Sequence, residues 1–477
     1  MATRDSLDFK VGVEEEEEEG TPSPSSISPP SSPLSYFDRD RHVAFFEMLY
    51  DLMPYHYQSQ EINRLTLAFF TVSGLHLLQA LDRVDKDRVA NWVLSFQAHP
   101  RSRAELKNGQ FYGFHGSRTS QFPPNENGVS VHNAGHLAST YCALAILKTV
   151  GFNLLTIDKE SILISMRNLQ QPDGSFMPLH VGAETDLRFV YCAAAICFML
   201  EDWSGMDKEK AKDYILSCQS YDGGFGLMPG LESHGGGTYC AVASLRLMGY
   251  IEDNLLSKNA TSFVVNVPLL LDWCMQRQAI DGGFQGRANK YSDTCYAFWV
   301  GAVLKILGGY KLIDKIALRR FLLTCQYEFG GFSKYPRELP DLYHSYYGFT
   351  AFSLLEEPGL NPLCAELGMT DLAALDRSKV ASLHLHNLWL VQVSYLLTVK
   401  ENDTKAFVWG KVPITATKAS MKSMVVAWYK ALTPGVIGLY RICGGDEKKK
   451  NIGEHIGSDD DDEQRVMGQP CLVVRGN

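Results

Sequence analysis

No stretch of this 477-residue chain approaches 18 uninterrupted apolar residues, so no transmembrane segment is expected. A basic excess is missing too: the formal net charge is −9, whereas a nucleic-acid partner calls for a positively charged face. The eleven cysteines form no paired framework, and several lie inside apolar runs such as "TYCALAIL", "YCAAAICFML" and "TYCAVASL". Nothing at the N-terminus resembles a secretory signal. These absences together predict a soluble, cytoplasmic protein whose thiols are reduced and buried.

What the chain does have is apolar material for a large core, with 45% hydrophobic and 21% charged residues. Its length fits two or three ordinary domains, unless a repeat makes one large unit of it. The ends differ from the middle. Residues 1–36 hold the acidic run Glu14 to Glu19 and then "TPSPSSISPPSSP", too poor in apolar surface to offset the entropy of ordering, and are expected to be a disordered arm. Residues 374–477 are expected to be a largely disordered extension, and the run Asp459 to Asp462 reads as solvated tail rather than a magnesium site.

Between them the chain repeats itself. Units beginning "NLQQPDGSF", "SCQSYDGGF", "CMQRQAIDGGF" and "TCQYEFGGF" share one plan, and a fainter copy starts at Asn108. Each has an apolar helix ending in Gln, a glycine turn closed by Phe, a polar loop and a second apolar helix. The closing residues Phe176, Phe225, Phe284 and Phe332 lie 49, 59 and 48 positions apart. Such helical hairpins cannot bury their apolar faces alone and must stack. The predicted fold over residues 37–373 is therefore all-α: about six hairpins closed into an α/α toroid (an α/α barrel), with the loops before each second helix rimming one mouth. The glycines of "DGGF" are explained by tight turns that need positive φ.

Function shows in the departures from the repeat. Aligning the second helices places Asp293 and His344 at the same position of successive units, with Cys295 close by. A carboxylate, a thiolate and an imidazole fit zinc, and three protein ligands leave the fourth tetrahedral position for a substrate. Taken singly, these residues also read as a helix cap, a core cysteine and a satisfied histidine. The repeat equivalence of two of them favours the metal. Arg287 and Lys290 precede Asp293, His234 occupies the corresponding loop of the previous unit, and Tyr296 follows Cys295. With helix N-termini nearby, this cluster suits a phosphate or diphosphate. Phe70, Tyr191, Trp299 and Tyr347 would face a toroid interior too wide for its own side chains to fill. An apolar ligand carrying a diphosphate is the expected occupant.

The motifs "DGGFQGRANKYSDTCYAFW", "SHGGGTYC" and "PDLYHSYYG" resemble the β subunits of protein prenyltransferases, and the resemblance covers roughly residues 37–370. It implies one Zn2+ held by Asp293, Cys295 and His344, diphosphate contacts at His234, Arg287, Lys290 and Tyr296, and pocket positions at Arg188, Tyr191, Cys240 and Trp299. It also implies a heterodimer with an α subunit, and prenyl transfer to the cysteine thiol of proteins ending in a CaaX sequence, small GTPases among them. Thr66 stands where the farnesyl-transferring members carry a bulky Trp, and Phe70 aligns with another of their pocket residues. Lys334 stands where those members have an aspartate linked to Mg2+. Both departures imply geranylgeranyl diphosphate as donor, a preference for Leu at the substrate's last position, and no need of Mg2+. The rival readings are a farnesyl- or Rab-type member, a terpene or squalene cyclase, and a non-catalytic helical-repeat binding module. "CLVV" at Cys471 imitates a CaaX box but is followed by "RGN", so it is no prenylation signal.

Overall fold

The computed structural model describes residues 36–121, 135–251 and 265–375, together with the backbone of two strands at 405–409 and 412–416. The expected arm 1–36, apart from its last residue, and most of the expected extension 374–477 lie outside the described residues.

Among the described residues, twelve α-helices from Arg39 to Leu354 alternate between two kinds. The odd-numbered ones are α1 (Arg39–Asp51), α3 (Lys86–Leu94), α5 (Lys159–Met166), α7 (Lys208–Ser217), α9 (Val267–Met275) and α11 (Lys315–Thr324). Each starts at an Asp or Asn whose side chain accepts a backbone N–H: Asp38, Asp85, Asp158, Asp207, Asn266 and Asp314. Most bury only one stripe, such as Ala211, Tyr214 and Ile215 on α7, the pattern of a helix with one face in water.

The even-numbered helices are α2 (Arg64–Leu77), α4 (Leu137–Val150), α6 (Leu187–Met199), α8 (Gly235–Leu247), α10 (Tyr296–Ile306) and α12 (Leu342–Leu354). They are apolar on nearly every face and almost wholly buried, so they form an inner layer. α2 packs on α4, α4 on α6, α6 on α8, α8 on α10, α10 on α12, and α12 returns to α2. The ring of six hairpins is closed.

The repeated Gln and Phe have physical jobs. Phe114, Phe176, Phe225, Phe284 and Phe332 are fully buried and bridge back to Gln97, Gln170, Gln219, Gln278 and Gln326. Gln278 donates to Asp314 O at 2.9 Å and accepts from Asp314 N at 2.9 Å, which clamps the cap of the following outer helix. Gln326 makes a related clamp across the seam, accepting from the cap Asp38 N at 3.2 Å but donating to Tyr36 O, two residues earlier, at 3.0 Å. Last and first units are thus joined by the bond that joins neighbours.

Two short hairpins add to the all-α expectation. β1 (Leu363–Cys364) pairs antiparallel with β2 (Met369–Thr370), followed by α13 (Asp371–Ala374), which runs across the expected boundary at 373. This segment enters the toroid at the C-terminal ends of the inner helices: Asn361 N donates to Leu77 O at 2.8 Å and its side-chain amide to His76 O at 2.7 Å. Hydroxyls from four inner helices then hold its turn, Tyr239 on Ala365 O at 3.0 Å, Tyr191 on Glu366 O at 3.2 Å, Tyr141 on Leu367 O at 2.7 Å, and Tyr346 on Gly368 O. The toroid therefore has one open mouth and one plugged end. Further along the chain, β3 (Lys405–Trp409) pairs antiparallel with β4 (Val412–Ala416).

Nine cysteines fall among the described residues, all as free thiols, eight of them buried. No described helix is long and apolar enough to cross a membrane.

Candidate active site

The polar chemistry gathers at the N-terminal ends of α8, α10 and α12. Asp293 and Cys295 lie on the turn leading into α10, since the helix itself begins at Tyr296. The backbone N–H of Cys295 donates to Asp293 Oδ1 at 2.8 Å, which sets the carboxylate against the turn. Thr294, between them, donates its N–H to Lys334 O at 3.1 Å. That bond fastens the next unit's loop beside the cluster and brings His344, on the first turn of α12, across the unit boundary.

The ligating atoms of Asp293, Cys295 and His344 lie within 4.8 Å of one another, the sole such group of three among the described residues. His344 Nε2 is 3.4 Å from Asp293 Oδ1. Ligands about 2.0–2.3 Å from a tetrahedral zinc stand roughly 3.3–3.8 Å apart, so small shifts suffice to seat the ion. His344 Nδ1 lies 2.6 Å from Asp341 Oδ2, so one ring nitrogen is held by a carboxylate and Nε2 faces Asp293 and Cys295. Burial and the charge of Asp293 push the Cys295 thiol up to about 12. A thiolate there calls for a cation, and the donor set matches Zn2+.

Asp341 has a second task, since its Oδ1 accepts the His344 backbone N–H at 2.7 Å and caps α12. One side chain therefore fixes both the helix start and the imidazole. In Asp341→Asn the amide has only one acceptor oxygen for these two donors, and metal affinity is expected to fall about 10–100-fold. Competition with a chelating dye measures this, and unchanged affinity would show that Asp341 serves the helix alone.

The anion-binding half lies alongside. His234 Nδ1 accepts the Gly236 N–H at 3.0 Å, and burial, then Arg287 and Arg188, push the imidazole down to about 4. His234 is thus neutral near pH 7 with its proton on Nε2, where it donates to Tyr296 Oη at 3.0 Å. The hydroxyl proton of Tyr296 is left to point elsewhere. Gly286 makes this arrangement possible, because a Cβ there would sit 2.1 Å from Tyr296 Cζ. Arg287 meets Glu232 only through an exposed 3.5 Å pair, a weak interaction readily exchanged for a bound anion. The Lys334 ammonium lies 5.1 Å from the Tyr335 ring.

Most of these groups open on a cavity of about 500 Å³. Its walls include Thr66, Phe70, Arg188, Tyr191, Cys240, Trp299 and Tyr347, and its rim His234, Arg287, Lys290, Asp293, Tyr296, Lys334 and His344. Every site residue named from the sequence borders this one space except Cys295, which is 2% exposed and stands behind the wall. Thr66 Oγ1 lies 3.7 Å from Cys142 Sγ, and Trp299 donates to Tyr343 Oη at 3.0 Å. Arg188 is held by Asp186 at 2.7 and 3.1 Å, a buried two-pronged ion pair that fixes the guanidinium against the wall.

Sequence reasoning missed Asp341, Asp186, the plug and its contacts with Tyr141, Tyr239 and Tyr346. Asp341 was detectable as a carboxylate three residues before a candidate ligand at a helix start. The plug carries no repeat signal at all.

Comparison with known proteins agrees with the toroid fold. Residues 37–379 match the family model described as the prenyltransferase alpha-alpha toroid domain. The chain is 71% identical over 349 residues to the geranylgeranyl transferase type-1 subunit beta of Arabidopsis thaliana, covering 73% of this chain and 93% of that protein. It is 36% identical over 352 residues to the protein of the same name from Dictyostelium discoideum, covering 71% and 97%. Among solved structures it resembles Candida albicans protein geranylgeranyltransferase-I complexed with GGPP, with a TM-score of 0.61, 26% identity, and coverage of 70% of this chain and 96% of that one.

Proposed function

The chain belongs to the prenyltransferase family and is a prenyl-transferring enzyme, and from that premise we propose that it is the catalytic β subunit of a zinc-dependent protein geranylgeranyltransferase. With an α subunit it moves geranylgeranyl from its diphosphate to the cysteine thiol of proteins ending in CaaX, with Leu preferred last. The observation that carries this reading is the meeting, on one apolar cavity, of the Asp293–Cys295–His344 cluster with the cationic rim. A binding module without catalysis leaves that conjunction unexplained.

Zn2+ held by these three residues would supply Lewis acidity toward the substrate's thiol, so that thiolate is available near neutral pH. The isoprenoid lies along Phe70, Tyr191, Trp299 and Tyr347, which exclude water, while His234, Arg287, Lys290, Tyr296 and Lys334 hold the diphosphate at the mouth. The thiol gives up its proton to solvent. Its sulfur forms a bond to C1 as the C1–O bond breaks, and diphosphate leaves with that electron pair. Charge grows on the leaving oxygen, where the Tyr296 hydroxyl and the cations are set to receive it. Lys334, with its backbone fastened to Thr294, brings a fixed positive charge where a magnesium ion would otherwise be required. Tyr296 adjoins both halves, next to Cys295 in sequence and bonded to His234 across the unit boundary.

The test is a competition between geranylgeranyl and farnesyl diphosphates on the heterodimer, with a peptide ending in CaaL. Geranylgeranyl should win in the wild type. Thr66→Trp fills the space beside Cys142 and should shift the ratio toward farnesyl at least about 10-fold. A ratio that ignores this substitution would remove Thr66 from the account of chain length.

A further inference from the structure

Thr66 shapes a side wall, but the cavity also has a floor, made by the β1–β2 plug. Gly368, at the tip of the plug, borders the same space as the site residues. Its φ of +59° lies in the left-handed region. A Cβ built on it would point between three cavity-lining groups, 3.4 Å from Phe298 Cζ, 3.6 Å from Tyr239 Oη and 3.7 Å from Tyr141 Oη. These are ordinary contact distances, so a methyl group meets no clash there, although the positive φ strains any side chain, and it would stand beside the cavity. Turn geometry alone would make glycine a matter of backbone strain; the direction of its missing side chain makes it a matter of volume as well.

We propose that Gly368 is a specificity-determining residue: the bare tip of the plug sets the greatest length of isoprenoid the cavity admits. The inference rests on the geranylgeranyl reading above. The plug is well fitted to be a ruler because it cannot easily retreat. Leu367 and Met369 on either side of Gly368 are fully buried, and Glu366 is paired with Arg246 at 3.4 Å. The tyrosine hydroxyls reach the plug from four of the six inner helices, so the floor is fixed relative to the mouth where C1 must react.

In the heterodimer, Gly368→Ala should lower kcat/KM for the C20 donor about 10-fold while sparing the C15 donor, because the added methyl takes the place of the last isoprene unit. Tyr346→Phe is the contrasting variant. It removes the tether on the Gly368 carbonyl without adding volume, and should weaken both donors alike. Equal loss of both donors in Gly368→Ala, or no loss, overturns the proposal. Should that variant fail to assemble, the wild type still decides: competition by prenyl diphosphates of rising length should show affinity falling steeply from C20 to C25, and equal affinity for C25 would mean the plug is no floor. A wild type that does not prefer C20 over C15 would instead refute the geranylgeranyl reading itself.

Discussion

Cys295→Ser should leave the heterodimer with less than stoichiometric zinc and prenyl transfer about 10³-fold slower, the rate equivalent of several kcal/mol of lost Lewis-acid assistance. Serine offers a hard hydroxyl, poorly deprotonated, in place of a sulfur that a cation holds as thiolate. The two remaining ligands are a carboxylate and an imidazole that already meet at 3.4 Å and would close on each other as an ion pair. Burial opposes charge on His344, but Asp293 and Asp341 beside it raise its pKa well above the usual histidine range, so the emptied pair is self-satisfying. Donor binding provides the control. His234, Arg287, Lys290 and Lys334 are untouched, so affinity for the prenyl diphosphate should persist while turnover disappears. Metal analysis of the purified variant checks the first statement, and a full zinc complement would refute the assignment of Cys295 as a ligand.

Lys334→Asp should cost about 10²-fold in turnover without magnesium, the scale seen when one preorganised charge contact to a leaving group is removed. It should also create a dependence on Mg2+, whereas the proposed role of Lys334 predicts none in the wild type. A carboxylate at this position repels the diphosphate, yet with the diphosphate oxygens it makes a hard oxygen site for a small divalent cation. Activity titrated against Mg2+ is the measurement. A flat titration in the variant would mean that Lys334 does not stand in for the metal, whatever its effect on rate. Because the Lys334 backbone carbonyl, rather than its side chain, is the group bonded to Thr294, the substitution should leave the zinc cluster in place.

The repeat was legible because each unit must satisfy the same local demands. An outer helix needs a carboxylate or amide cap and one apolar stripe. Its terminal Gln must clamp the next cap, and a fully buried Phe must close the turn. Those demands leave residues at fixed offsets, and self-comparison recovers them. Asp293 and His344 were legible for the converse reason: they break the pattern at one shared position. The extent of folded structure was less so, since the β1–β2 pair and α13 belong to no unit and leave no period.

The sequence by itself thus determined the toroid, which follows from local rules repeated around a ring, and singled out the candidate ligand trio and the cationic cluster as departures from them. Only the tertiary structure decided what the ring encloses. It put Cys295 behind the wall and gave His344 its carboxylate partner. It committed the His234 proton to Tyr296, and it stoppered the far end with a turn hung from Tyr141, Tyr191, Tyr239 and Tyr346. Apart from the Asp341–His344 pair and the Tyr346 tether, these contacts join residues 62 to 226 positions apart and are made only when the ring closes. No short window along the chain contains both partners of those long-range contacts, so the enclosure of the cavity is a property of ring closure.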